Sequence, residues 1–273
     1  MSAQKRPKRP NQSPAPFDQP QQHVPHESDI SNVYEDEERA RAYATLEFPG
    51  TYYLAFRDLP GLIRRYKTGS RALDFGCGTG RSTRFLKNLG LNAIGADISP
   101  AMLDQARVLD PSGEYHVVHN NIASYFAPRS FDFILAAFTF DNMPNGVKAD
   151  ALSGLRILLA PDGCLFLVVS SAAIYINEWT SFSTRDFPEN RHARDGDRVG
   201  IVMLDVPDQR PVEDVFCTNA RYRHLFERAG LKVLEVQSPL ATGREGAPWV
   251  SERKTSPWTI YVLARSSGTE SGA

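Results

Sequence analysis

Cysteine is scarce: Cys77, Cys164 and Cys217 are the only three in 273 residues, and they lie far apart in no CxxC or Cys/His grouping. That excludes a disulfide-framed module and a zinc-ribbon centre, and suits free thiols in a reducing compartment. Long apolar runs are missing too, since no stretch approaches the roughly 18 residues that a membrane span needs. Basic residues near the start are followed by proline and glutamine rather than an apolar run, so no secretory leader is expected. Nor does one charge dominate. With 31 Lys and Arg against 32 Asp and Glu, the net charge of −1 draws the chain neither to nucleic acid nor to an anionic membrane. No basic or RNA-binding module is appended. These absences predict a cytoplasmic protein with a small, roughly neutral partner, no nucleic acid and no membrane. The run Lys5, Arg6, Lys8, Arg9 leaves a nuclear address open.

What is present divides the chain. Hydrophobic residues make up 41%, enough to fill a sizeable core. Residues 1–28 are rich in Pro, Gln, Ser and charge and read as a disordered tail, and 266–273 as a flexible end. Over 29–66, Asp36, Glu37 and Glu38 suit the positive end of a helix, while Ala40, Tyr43, Ala44 and Leu46 recur at helical spacing, predicting one or two cap helices. From 67 to 265 the pattern alternates. Strand-like runs at 72–75, 92–96, 115–118, 131–138 and 164–169 are separated by helical stretches at 81–89, 100–109 and 147–159, which predicts a parallel sheet covered on both faces. After Ser170 a segment of aromatics and charges, about 171–217, interrupts the alternation before a helix at 219–229. Two final runs, 231–236 and 258–264, have no helix between them and predict an antiparallel edge hairpin.

The chemistry concentrates where the first strand ends. Asp74 is followed by Gly76, Gly78 and Gly80, and an amphipathic helix begins directly after them. Glycines there let the backbone turn sharply and let a ligand approach main-chain N–H groups without meeting a Cβ. The next strand ends at Asp97, 21 residues beyond Gly76, a spacing that lets a carboxylate accept from the ribose hydroxyls of an adenosine. The GxGxG spacing lacks the third glycine of the usual dinucleotide pattern. Asp74 would also repel a pyrophosphate while suiting a cationic amino-acid group.

The segment Asp74-Phe-Gly-Cys-Gly-Thr-Gly80 resembles the first motif of class I S-adenosylmethionine-dependent methyltransferases, near the small-molecule subgroup called type 11. The resemblance continues through Asp97-Ile98-Ser99, HNNIA at 119–123, FDFILAAFTFDNMP at 131–144, and YRHLFERAGLKVLEV, over roughly 34–265. It implies an α/β fold: a seven-stranded Rossmann-like methyltransferase sheet with N-terminal cap helices and a substrate-side insertion after the fifth strand. It implies S-adenosyl-L-methionine as cofactor, S-adenosyl-L-homocysteine as product, and a small-molecule methyl acceptor, with specialised (secondary) metabolism as a setting. Gly76, Gly78 and Gly80, with Asp74, would then serve the methionine moiety, and Asp97 and Ile98 the ribose. Asn121, where relatives often have Asp, and Ile122 would flank the adenine. Phe138 would stand nearest the sulfonium, and Arg41 and Tyr43 of the cap would touch the carboxylate end.

Methyl transfer from a sulfonium is an in-line displacement in which positioning can supply much of the barrier reduction. A base is needed only where the acceptor must lose a proton, and His192, Glu178, Tyr175 and Asp141 are the candidates. Asp141-Asn142 invites a magnesium reading, but the next strand ends in Ser170-Ser171-Ala172 rather than an acid, so no metal is expected. Tyr175, Trp179, Phe182 and Phe187 offer either an acceptor wall or a satellite core. A cofactor-binding inactive partner, a protein methyltransferase and a nicotinamide-dependent oxidoreductase remain alternatives.

Overall fold

The computed structural model describes residues 41, 42, 44, 48 and 50–266. The tail at 1–28, most of the first cap segment, Tyr43 and residues 267–273 lie outside the described residues. Two short helices, α1 (Gly50–Arg57) and α2 (Leu59–Tyr66), lead directly into the sheet. Pro60 stands in the first turn of α2, where a missing N–H costs nothing. A sheet follows with the order β3-β2-β1-β4-β5-β10-β9. Its strands are β1 (Arg71–Phe75), β2 (Asn92–Asp97), β3 (Glu114–Val117), β4 (Phe131–Ala137), β5 (Leu159–Ser170), β9 (Leu231–Gln237) and β10 (Trp258–Arg265). Helices α3 (Arg81–Asn88), α4 (Pro100–Leu109), α5 (Asn145–Leu158) and α6 (Asn219–Arg228) connect them.

The first five strands pair in parallel. Consecutive residues therefore serve opposite faces. Ala72, Phe133, Phe166 and Ile260 pack beneath α1, α2 and α3, while Leu73, Ile134, Leu167 and Tyr261 pack beneath α5 and α6. Burial on both faces explains why these strands read as unbroken apolar runs. The last two strands do pair antiparallel, but β10 enters the sheet between β5 and β9. The last strand is thus interior, with Ile260, Tyr261, Val262 and Leu263 fully buried, and β9 forms the edge. The fifth strand also starts earlier than its sequence suggests, at Leu159, with a register shift against β4 between Phe131 and Phe133.

The segment between β5 and α6 builds a small antiparallel sheet in the order β6-β7-β8, from β6 (Phe182–Ser183), β7 (Arg198–Met203) and β8 (Val212–Val215). Val199, Ile201 and Met203 alternate inward along β7 and join the same apolar cluster as α1 and α2. The insertion is thereby continuous with the main core.

A buried polar clasp fixes the cap to this sheet. Thr51 N–H donates to Ser181 Oγ at 2.8 Å, and Ser181 N–H donates to Thr51 Oγ1 at 3.1 Å. The Thr51 hydroxyl donates onward to Glu252 at 2.6 Å, and Glu252 also accepts from the N–H groups of Thr180 (2.7 Å) and Val250 (2.8 Å). Trp258 Nε1–H closes the group on the Thr51 carbonyl at 2.8 Å. Glu252 has no solvent exposure, and these donors hold its carboxyl below the ordinary range against the opposing effect of burial. Glu252→Ala strands the buried Thr51 hydroxyl and two partly buried N–H donors and is expected to cost roughly 2–3 kcal/mol. Urea denaturation of the two proteins measures this, and a difference under about 0.5 kcal/mol would mean that the clasp bears little of the fold's stability.

Candidate functional site

A cavity of about 190 Å³ opens where the carboxyl ends of β1, β2, β3 and β4 converge. Parallel α/β sheets bind ligands at that end, because strand ends and helix N-termini leave main-chain groups unpaired there. The loop between β1 and α3 forms its floor. Gly76, Gly78 and Gly80 all have left-handed backbones, with φ of +71°, +53° and +76°. Gly76 and Cys77 N–H groups hang the loop on the Ala96 carbonyl at 2.7 and 3.1 Å.

The three glycines differ in what their missing side chains admit. A Cβ on Gly76 would lie 2.1 Å from Thr139 Cγ2, and one on Gly80 would lie 2.6 Å from the Tyr115 hydroxyl. At Gly78 the nearest atom is Met102 Cε at 3.4 Å. Gly76 and Gly80 therefore admit neighbouring protein, whereas Gly78 leaves space in the cavity. Gly76 and Gly78 line it and Gly80 caps α3 behind it.

Asp97 completes the floor. One carboxylate oxygen accepts from Gly78 N–H at 2.8 Å and the other from Ser99 N–H at 2.9 Å. Burial raises its pKa, and these N–H groups oppose the rise. Each oxygen keeps a lone pair for a ligand hydroxyl. Ile98 and Ile122 line the cavity, as does Phe138. Phe138 has φ +63°, an uncommon conformation for a bulky side chain, and it is over-determined by neighbours. Its N–H donates to the Val168 carbonyl at 2.8 Å, and its ring meets Trp258, Tyr52 and Phe56 at centroid distances of 4.7, 5.4 and 6.1 Å.

Other candidates lie elsewhere. Asp74 is fully buried behind the loop, where Oδ2 accepts from the Ser82 and Thr83 hydroxyls at 2.7 and 2.6 Å. It ties β1 to the first turn of α3 and does not line the cavity. Asn121 caps a short 3-10 turn by accepting from Ala123 N–H, and it is Asn120, with φ +45°, that faces the cavity. Arg41 is helical and exposed and is not among the lining residues. None of the four base candidates lines the cavity either. His192 is exposed, and Glu178 accepts from Ser183 and Thr184. Asp141 is buried beneath Ser170, whose N–H and hydroxyl it accepts, while the Tyr175 hydroxyl donates to Asp214 at 3.1 Å. Tyr175, Trp179 and Phe182 are buried in the core, and Phe187 packs over Gly200. Among the described residues no group of three or more His, Cys, Asp or Glu is placed to hold a metal.

Residues not singled out in the sequence also line the cavity, including Arg81, Met102, Val118, Thr139 and Val147. Arg81 carries a readable signal, since it directly follows Gly80 at the start of α3. The others come from four separate elements and share no local pattern.

Residues 72–163 match a family model described as a methyltransferase domain. An 18S rRNA (guanine-N(7))-methyltransferase of Bos taurus is 33% identical over 85 residues, which are 31% of this chain and 30% of that protein. A 2-methyl-6-phytyl-1,4-hydroquinone methyltransferase of Synechocystis is 30% identical over 125 residues, 45% of this chain and 36% of that one. The chain thus spans about a third of the length of these curated relatives. The structure of Burkholderia thailandensis 1,6-didemethyltoxoflavin-N1-methyltransferase, with bound 1,6-didemethyltoxoflavin and S-adenosylhomocysteine, superposes with a TM-score of 0.54 at 18% identity, over 92% of this chain and 94% of that one. At that identity the likeness is one of fold.

Two outcomes are expected from this geometry. Gly78→Ala places a methyl group in the cavity and strains a left-handed residue by about 1–2 kcal/mol, so the protein folds and loses ligand affinity. Gly76→Ala collides with Thr139 and reduces folded yield instead; circular dichroism with ligand titration separates the two. The second concerns pH. Burial pushes Asp74 up to about 6 from 3.8 and also raises Asp141 and Asp214. A raised carboxyl pKa means the native state binds the proton more tightly than the unfolded chain. The contribution of Asp74 is full below pH 3.8 and is lost as pH rises through about 6. Asp74→Asn is expected to flatten the stability profile across that window, and an unchanged slope in denaturant titrations would show that Asp74 titrates normally.

Proposed function

We propose that this chain, whose residues 72–163 match a methyltransferase domain, is a class I S-adenosylmethionine-dependent methyltransferase that transfers a methyl group in line from that cofactor to a small organic acceptor. The observation that carries this reading is the pairing of Gly78, whose absent side chain leaves room for a ligand, with Asp97, whose carboxylate is fixed beside it. The residues fit an adenosine with an amino-acid tail. Asp97 would accept from the ribose hydroxyls, and Ile98 would flank that sugar. The apolar Ile122 and Val118 would cover the adenine, with Asn120 and Asn121 on the adjoining turn. Gly76 and Gly80 hold the loop in the shape that exposes Gly78, and Asp74 braces it from behind. Phe138 would border the reacting end.

When bound, S-adenosylmethionine supplies an electrophilic methyl group on a sulfonium. The chain's contribution is then to position the acceptor and to exclude water. The clasp through Glu252 ties α1, the residues just before β6 and the segment before β10 to one another, and a cap fixed in this way would favour a small acceptor over a polymer such as the rRNA of the bovine relative. Three buried free cysteines suit the cytoplasm.

Thermal unfolding with S-adenosylmethionine, S-adenosylhomocysteine, NAD or no addition tests the cofactor. A ligand at 100 times its dissociation constant stabilises by about 2.7 kcal/mol. Stabilisation by the first two alone is expected, and Asp97→Ala is expected to abolish it by removing charge-assisted hydrogen bonds. Stabilisation by NAD alone would point instead to an oxidoreductase, and none at all would overturn the reading.

A further inference from the structure

Three glycines make room for one ring. A Cβ on Gly80 would lie 2.6 Å from the Tyr115 hydroxyl, one on Gly95 2.5 Å from Tyr115 Cδ1, and one on Gly113 2.3 Å from Tyr115 Cε2. Gly95 and Gly113 do not have left-handed backbones, so space rather than conformation calls for glycine there. Tyr115 is the second residue of β3 and stands opposite Gly95 in the parallel pairing with β2. It is buried and does not line the cavity. Its ring belongs instead to a small apolar cluster with Cys77, Leu103 and Ala106, separate from the two cores that flank the sheet.

The hydroxyl end of the ring is anchored. It donates to Asp110 Oδ2 at 3.1 Å, and the same oxygen accepts from Lys87 Nζ at 2.6 Å. Lys87 lies in the last turn of α3 and Asp110 follows the last residue of α4, so the ring and both helices share one carboxylate. A ring boxed in this way has little room to shift when a neighbour presses on it. Its neighbours are the two backbones that make the site. Cys77 and Gly80 stand on either side of Gly78 and Thr79, and Gly95 precedes Asp97 by two residues. The 2.8 Å bond from Gly78 N–H to Asp97 therefore joins two segments that rest on the same side chain.

We infer that Tyr115 is a positioning residue for cofactor binding: its ring sets the height of the glycine loop over β2, and so holds Gly78 and Asp97 in the relation that a ligand meets. This assignment rests on the methyltransferase reading above. The ring touches no ligand and acts through Cys77, Gly80 and Gly95. A smaller side chain leaves a void behind the loop, into which the loop sinks; the space beside Gly78 then narrows and the free lone pairs of Asp97 lose their aim.

The test is calorimetry with S-adenosylhomocysteine on the full chain, at a temperature where circular dichroism shows each variant folded. Tyr115→Leu should bind roughly tenfold more weakly, the effect of one charge-assisted hydrogen bond put out of line. Tyr115→Phe keeps the ring and should stay within about twofold of wild type. Leu225→Ala opens a void in the opposite core, away from the loop, and should lower the melting temperature while leaving affinity unchanged. Gly95→Ala carries the test where Tyr115→Leu does not fold: it keeps the tyrosine, places a methyl group 2.5 Å from the ring, and should also weaken binding. Wild-type affinity in Tyr115→Leu or Gly95→Ala would overturn the assignment, as would a loss in Tyr115→Phe or Leu225→Ala equal to that in Tyr115→Leu. Failure of wild type to bind S-adenosylhomocysteine would overturn the methyltransferase reading itself, and this assignment with it.

Discussion

The site depends on one carboxylate meeting one left-handed loop. Asp97 lies at the end of β2, yet its oxygens accept from Gly78, at the turn after β1, and from Ser99, which caps α4. Two crossovers of the parallel sheet are thereby locked at the same point. Strand ends would otherwise leave these N–H groups to water, and a loop with three positive φ values would have no reason to keep one shape. The same bonds that fix the loop fix the carboxylate, so the acceptor lone pairs and the space beside Gly78 arrive already oriented. Little reorganisation is then left for a ligand to drive.

From that floor the structure builds upward through aromatic contact. Phe138 leaves β4 with a backbone that its side chain disfavours, and Tyr52, Trp258 and Phe56 surround it. Tyr52 and Trp258 are in turn tied to the clasp, since Thr51 accepts from the Trp258 indole and bonds to Ser181 and Glu252. Strain at Phe138 is thus borne by a network that reaches the cap, the insertion and the last strand. This continuity argues for a standing wall around the site rather than a loosely hinged flap.

What could be read from the sequence was local. Strand, glycine loop, helix and terminal Asp97 fall within 26 residues, 72–97, and each leaves its mark on neighbouring positions. The clasp left none, because Thr51 and Glu252 are 201 residues apart and an isolated Thr or Glu says nothing of its partner. Aromatic content in the insertion was equally mute about direction: Tyr175 and Trp179 face the core because Asp214 and the Ile174 carbonyl satisfy their polar ends there. The place of β10 inside the sheet was hidden for a different reason. A hairpin pattern specifies that two strands pair, and leaves open which of them takes the free edge. Near Asn120 and Asn121 the difficulty was a single residue of register, decided by a positive φ that either Asn tolerates.

The position of Asp74 shows why a motif residue need not touch a ligand. Its burial raises its pKa to about 6, so ionisation is disfavoured, and two hydroxyls from the first turn of α3 offset part of that cost. A neutral residue there would be easier to bury but would accept fewer strong hydrogen bonds from that turn. Because Ser82 and Thr83 directly follow Arg81, the carboxyl of Asp74 sets the start of the helix on which Arg81 rides. Cationic side chain and acidic motif are therefore two ends of one short structure. The constraint that holds α3 against β1 behind the loop also determines where the cavity's positive charge stands in front of it.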